Sequence, residues 1–146
     1  MNKGKVLVGI QFTALAVLIF WPGKKVSDTQ ALVGTVIEII GAVILVTALI
    51  QLRDSLKITP EPKPNAKFIS TGLYKYVRHP IYSGLIIFGL SEVINKATPT
   101  ILFAFLVLVV DLIIKYRYED SLLVKAYGEA SEYQKRVGAL FPKFWS

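Results

Sequence analysis

The chain has 146 residues, 53% of them hydrophobic, with 17 Lys and Arg against 10 Asp and Glu and a formal net charge of +7. Its apolar residues fall in long blocks with basic residues at their flanks, which marks an integral membrane protein facing anionic lipid and argues against a nucleic-acid partner. The absence of cysteine excludes disulfides, a thiolate nucleophile and Cys-ligated zinc, and a single histidine argues against a His-based cluster, so no metal site is expected.

A spanning helix needs about 20 mostly apolar residues to cross roughly 30 Å of hydrocarbon. Four segments approach that length: Val6 to Trp21, Ala31 to Leu52, Pro80 to Asn95 and Thr98 to Tyr116. The first follows Lys3 and Lys5 but precedes no small-residue cleavage site, so it reads as a retained helix. The loop from Ser55 to Gly72 contains Pro60, Pro62 and Pro64 and reads as an extended, irregular linker or lid. Only Lys96 and Ala97 separate the third and fourth segments, which forces an antiparallel hairpin and returns Tyr116 to the side of Pro80. Beyond Tyr116, Leu122, Leu123, Ala126 and Tyr127 keep helical spacing without the hydrophobicity, predicting a helical extension and, after Gly128, a short amphipathic helix. The stretch ALFPKFWS that follows is aromatic and basic and belongs at the membrane interface, folded back near the hairpin mouth.

The fold class is therefore all-α: a polytopic membrane protein with four transmembrane helices, a C-terminal helical hairpin and an amphipathic tail. The chain reads as a single membrane domain, with residues 1–54 as a two-helix hairpin, 55–79 as a loop, 80–116 as the second hairpin and 117–146 as the tail. If all four segments span, one side holds 14 Lys and Arg and the other only Lys24, Lys25 and Lys96. The positive-inside rule then makes both termini and the long loop cytoplasmic.

The junction RHPIYSG, residues 78–84, carries the one histidine. Pro80 pushes His79 out of the helical region and is itself suited to the first helical position, so the third helix starts there. Its 16 residues to Asn95 span about 24 Å, short of the hydrocarbon core, which puts Arg78 and His79 at or slightly below the membrane surface. Unpaired amides at that helix start, with Arg78 and His79 beside them, can take an anion; the same two residues can equally snorkel to headgroups.

Glu119 and Asp120 return to this side through the hairpin, with Tyr116, Asp120 and Tyr127 near one helical face. An adjacent acidic pair can hold a cation or a ribose diol, or form a solvated face in which Glu119 pairs with Lys115 and Asp120 with Arg117. Three further acids lie inside apolar runs and are costly there. Asp111 is spaced for an intrahelical pair with Lys115, Glu92 is near water at the outer end of its helix, and Glu38 shares a small-residue face with Gly34, Thr35 and Gly41, where burial at a helix contact is expected.

The stretch GLYKYVRHPIYSG, then Asn95, Glu119 and Asp120, then AYGEASEYQKRV and Phe141-Pro142, resembles the isoprenylcysteine carboxyl methyltransferase and phospholipid methyltransferase superfamily. The resemblance covers residues 70–142, with Gly72, Tyr74, Arg78, His79, Pro80, Tyr82, Gly84, Glu119, Asp120, Tyr127, Tyr133 and Pro142 in order. Asp120 departs from the pattern, which usually has a second glutamate, and the N-terminal half carries no substrate signature. The resemblance implies transfer of a methyl group from S-adenosyl-L-methionine to a lipophilic small molecule or lipid. It further implies a cofactor site without a Rossmann domain, in keeping with the lack of a Gly-x-Gly-x-x-Gly turn.

By the same resemblance His79, Arg78 and Glu119 are the catalytic candidates. Tyr74, His79, Pro80, Tyr82, Gly84, Glu119, Asp120 and Tyr127 are the cofactor-binding ones, with Gly84 letting cofactor and backbone approach. Arg78 is expected to pair with the acids or with a carboxylate substrate, and an amine acceptor would need Glu119 or His79 as base. Two other readings stay open. Steroid-reductase-like membrane oxidoreductases using NADPH share an Arg-His-Pro-x-Tyr element, although they usually have Gly-Glu where Ser83-Gly84 stands here. The third reading is a non-enzymatic four-helix membrane protein.

Overall fold

The computed structural model describes residues 2–61 and 67–144. Pro62 and Pro64 of the proline-rich loop and Trp145 of the tail lie outside the described residues. Five α-helices carry the fold: α1 Lys3–Phe20, α2 Asp28–Leu52, α3 Pro80–Lys96, α4 Pro99–Ala126 and α5 Ala130–Arg136, with a 3-10 turn at Gly72–Lys75. No strand occurs among the described residues; one parallel bridge joins Val77 to Gly138.

The helix ends follow local chemistry. Asn2, Ser27 and Thr98 cap α1, α2 and α4 through side-chain oxygens that accept from the backbone amides of Gly4, Gln30 and Ile101. Pro80 opens α3 as its first residue, and His79 before it sits at φ −125°, ψ 61°, outside the helical region. Lys96 belongs to α3, so the connection to α4 is Ala97 and Thr98, with Ala97 in the left-handed region at φ 47°. The helix predicted to end its apolar run at Tyr116 continues unbroken to Ala126, as its periodicity required.

Helices α1, α2 and α4 are long and apolar enough to cross a membrane; α3, with 17 residues, is shorter. Their outer faces present Phe12, Ile39, Val43 and Phe103, all exposed, as a lipid-facing surface requires. Inside, Leu18, Ile101, Leu108 and Leu112 are fully buried, joined by Ala14, Ala104, Leu85 and Tyr82.

The two N-terminal helices, expected as a hairpin, take their main contacts from the C-terminal ones: α2 packs along α3, and α1 along α4. Between lipid-embedded helices the hydrophobic effect gives no preference, so close backbone approach and polar contacts decide. Gly41 and Gly84 supply the approach. A Cβ at Gly41 would stand 2.8 Å from the Phe88 nitrogen, and one at Gly84 would stand 2.9 Å from the Leu45 nitrogen.

Polar contacts close the far end. Lys96 Nζ donates to the carbonyls of Leu18 and Ile19 at 2.5 and 2.8 Å and forms an ion pair with Glu92 Oε2 at 2.8 Å. Glu92 is thus buried and paired, not open to water: Lys96 reaches back over it to cap the last carbonyls of α1. Glu38, expected at a buried helix contact, is half-buried, because Gly34 and Gly41 bring α2 onto α3 on either side of it.

Candidate functional site

Three segments build the site at the N-terminal end of α3. The first is the 3-10 turn, where Gly72 adopts φ +62° and Gln51 of α2 accepts from the Leu73 amide at 2.9 Å. A side chain at Gly72 would meet Gln51 as well as strain the turn. The second is the last part of α4, which returns Glu119 and Asp120 to the α3 start. The third is the tail, whose Gly138 and Ala139 carbonyls accept from the backbone amides of Arg78 and His79 at 2.8 and 3.0 Å. Ser83 Oγ adds a hydrogen bond to the Leu140 carbonyl at 2.7 Å. The tail therefore folds back onto the start of α3.

At this junction five side chains form one connected polar chain. Arg78 Nη2 donates to Asp120 Oδ2 at 2.7 Å, and Asp120 Oδ1 lies 2.8 Å from His79 Nε2. His79 Nδ1 lies 3.3 Å from Glu119 Oε2, and the Tyr82 hydroxyl donates to Glu119 Oε1 at 2.5 Å. Both histidine nitrogens therefore face carboxylates, and a neutral ring would set a lone pair against one of them. Burial opposes charge on the ring, but the hydrogen bonds and charges of Asp120 and Glu119 outweigh it and hold the pKa above its ordinary value. A protonated ring beside Arg78 would set two cations against the two carboxylates.

Arg78 does more than pair. Its Nη1 donates to the carbonyls of Gln134 and Val137, tying α5 and the tail to Asp120. Tyr133 donates to the Tyr74 carbonyl, and burial pushes its hydroxyl pKa up to about 12. Arg78 is thus a positioning residue, with only Nε buried and unpartnered.

One cavity of about 290 Å³ opens beside this cluster, at the lower end of the roughly 300–1,000 Å³ usual for small-molecule sites. Tyr74, Arg78, His79, Tyr82, Glu119, Asp120 and Tyr127 all line it, as does Phe68, whose ring lies 5.3 Å from that of Tyr127. Phe12, Leu49, Leu52 and Leu56 add apolar lining, and Lys57, Glu61 and Lys67 add further charged groups.

Two candidates stand elsewhere. Pro80 and Gly84 are buried but do not line the cavity. Gly84 faces Leu45 and Gly41, so its missing side chain serves the approach of α2 to α3. Ion pairs Glu119–Lys115 and Asp120–Arg117 do not form, since Arg78 and His79 just before α3 offer both acids partners already fixed in place.

Among the lining residues that the sequence reading did not place in the site are Gln11, Phe68 and Lys115. Lys115 Nζ donates to Gln11 Oε1 at 2.6 Å and lies 5.2 Å from the Tyr82 ring centroid, and no ion pair with Asp111 forms. Asp111, expected to pair along its helix, is 3% exposed with both carboxylate oxygens unpartnered, because Lys115 turns away from it towards α1. The amide of Gln11 in the first apolar run and the charge of Lys115 at the end of the fourth were the available signal.

The chain is 29% identical over 134 residues to protein-S-isoprenylcysteine O-methyltransferase B of Arabidopsis thaliana, a match covering 88% of this chain and 67% of that protein. The family model for phospholipid methyltransferases matches residues 29–130, from the start of α2 to the start of α5, so the likeness takes in α2 as well as the junction and the hairpin. The chain belongs to the phospholipid methyltransferase family.

Proposed function

We propose that the protein transfers a methyl group from S-adenosylmethionine to a lipophilic acceptor at the cytoplasmic membrane face, either an isoprenylcysteine-type carboxylate or a phospholipid amine. One observation carries the reading. His79, Tyr82, Glu119 and Tyr127 converge from the start of α3 and the end of α4 on one cavity that also takes apolar lining from Phe12, Leu49, Leu52 and Leu56. A site for a polar methyl donor beside a lipid acceptor needs both kinds of lining.

The residues present suit an adenosyl sulfonium compound. Glu119 accepts from Tyr82 and His79 yet keeps lone pairs for a cationic group, Arg78 Nε is a buried donor without a partner, and Phe68, Tyr82 and Tyr127 offer aromatic faces. When bound, S-adenosylmethionine supplies a methyl carbon that gains a bond to the acceptor as its bond to sulfur breaks, the electron pair staying on sulfur. The protein's part is alignment and exclusion of water. A carboxylate acceptor has no proton to lose. An amine must arrive neutral, and since both His79 nitrogens face carboxylates, Glu119 is the group left to act as base.

In this reading all four long helices span, with α3 and α4 as the C-terminal hairpin. Both termini and the loop between α2 and α3 are cytoplasmic, supported by the 14 to three distribution of Lys and Arg. The test is thermal stabilisation of the purified protein by S-adenosylhomocysteine, with NADPH as control. A shift with the homocysteine product that His79→Ala removes is the expected result. A shift with NADPH alone turns the reading to an oxidoreductase, and no shift with either leaves a non-enzymatic membrane protein.

A further inference from the structure

We infer that Lys115 and Gln11 are a positioning pair: Gln11 holds the Lys115 ammonium beside the Tyr82 ring, and the pair thereby keeps the Glu119 carboxylate turned to Tyr82 and His79. That Glu119 so held serves methyl transfer rests on the methyltransferase reading above; that the pair holds it does not.

Asp111, Lys115 and Glu119 follow one another at four-residue intervals along one face of α4. The charges of Glu119 and, to a smaller degree, Asp111 act on Lys115, yet the ammonium forms an ion pair with neither among the described residues. Its hydrogen bond goes instead across to α1, to Gln11 Oε1 at 2.6 Å. Lys115 and Gln11 are both buried, and a buried ammonium takes an acceptor wherever one is in reach. Without Gln11, the acceptors in reach are the carboxylates one turn away on its own helix.

Glu119 is already committed. Its Oε1 accepts from the Tyr82 hydroxyl at 2.5 Å, and its Oε2 lies 3.3 Å from His79 Nδ1. An ion pair with Lys115 would turn it away from both, so Gln11 acts by keeping the cation occupied. Lys115 in turn acts through Tyr82. Its Nζ lies 5.2 Å from the ring centroid, and the His79 ring stacks on the same phenol at 5.5 Å and 5°. The ring therefore has a cation and an imidazole against it while its hydroxyl is bound to Glu119. Withdrawing the cation loosens the ring, and the hydroxyl with it. Gln11 lies on α1, ahead of the residues 29–130 that match the family model, so α1 contributes to the site from outside that span.

A plain contact between α1 and α4 would not carry an effect to Tyr82, since no bond or ring contact joins Gln11 to Tyr82 among the described residues. The test places 3-fluorotyrosine at position 82 of the full chain in lipid nanodiscs and reads its fluorine resonance, with titration by S-adenosylhomocysteine as the second readout. Gln11→Leu and Lys115→Met should each move the resonance, and Gln11→Leu should add nothing once Lys115→Met is present. Lys115→Arg, which can still donate to Gln11 and face the ring, should keep the wild-type resonance. Affinity for S-adenosylhomocysteine should fall roughly tenfold in both single variants, the scale of one charge-assisted hydrogen bond, and return in Lys115→Arg. Should Lys115→Met fail to fold, Lys115→Gln takes its place in the same cycle. An unmoved resonance in folded Gln11→Leu, or shifts that simply add, overturns the inference, as does unchanged affinity in folded variants of a protein that binds the homocysteine product. Coupled shifts in a protein that ignores that product would sink the methyltransferase reading and leave the positioning pair standing.

Discussion

At the N-terminal end of α3, Arg78, Asp120, His79, Glu119 and Tyr82 bind one another in an unbroken chain. Two to three turns back along α4, Asp111 is as deeply buried and has no partner for either oxygen. Both regions place ionisable groups in an apolar setting. The first uses charge to hold three chain segments together, whereas the second leaves a carboxyl group without a hydrogen-bond partner, met only by the charge of Lys115. Burial of a charged group therefore says little about its contribution until its partners are known.

The sharpest way to break this comparison is to unpick the connected region. Arg78→Met removes the ties to Asp120, Gln134 and Val137 at once. Losing one partner of a buried pair typically costs about 3–5 kcal/mol, so unfolding in detergent should shift by that amount. A loss below about 1 kcal/mol, the level of a surface pair, would mean that the chain of bonds is not structural.

Gly84→Leu asks whether the neighbouring glycine belongs to that polar region or to helix packing. Overpacking against Leu45 and Gly41 should cost roughly 1–3 kcal/mol, with the affinity of the folded fraction for S-adenosylhomocysteine unchanged. Lost affinity at unchanged stability would restore the cofactor role.

In the unpaired region the sign should reverse. Asp111→Leu removes a buried polar group without a partner, and stability should rise by roughly 1–3 kcal/mol. A fall instead would reveal an interaction that the structure does not contain.

The smallest effect is in pH. The folded pKa of His79 is raised, so its contribution is fully present below the ordinary histidine pKa and is lost as pH rises through the folded value. The melting temperature should decline on the alkaline side by on the order of a few degrees, and His79→Gln should flatten that limb. An equal slope in both proteins assigns it to other groups.

What could be read in the sequence divides along the same line. Pro80 presets its own backbone and restricts His79, so the start of α3 was legible from two residues, and the two-residue connection then delivered Glu119 and Asp120 to that start. The partners of isolated polar residues were not. Helical spacing gives the face on which Lys115, Glu92 or Glu38 lies, but not which helix meets that face. Lys115 reached across to α1, Lys96 reached back to Glu92 and the end of α1, and Glu38 fell beside a glycine contact instead of inside it. For Gly84 the sequence could not show the close approach of Leu45 and Gly41, since a glycine that admits a ligand and one that admits a helix look alike in sequence.

The pairing of the tail with the α3 junction also sets an order of assembly. Ser83 at the start of α3 binds the carbonyl of Leu140, 57 residues further along, and the amides of Arg78 and His79 bind Gly138 and Ala139. As the chain leaves the ribosome, the helices can enter the bilayer while these donors still face water. The apolar body can therefore be in place before the polar wall exists, and a chain interrupted after α4 would insert as a membrane protein and stay unable to build its cavity.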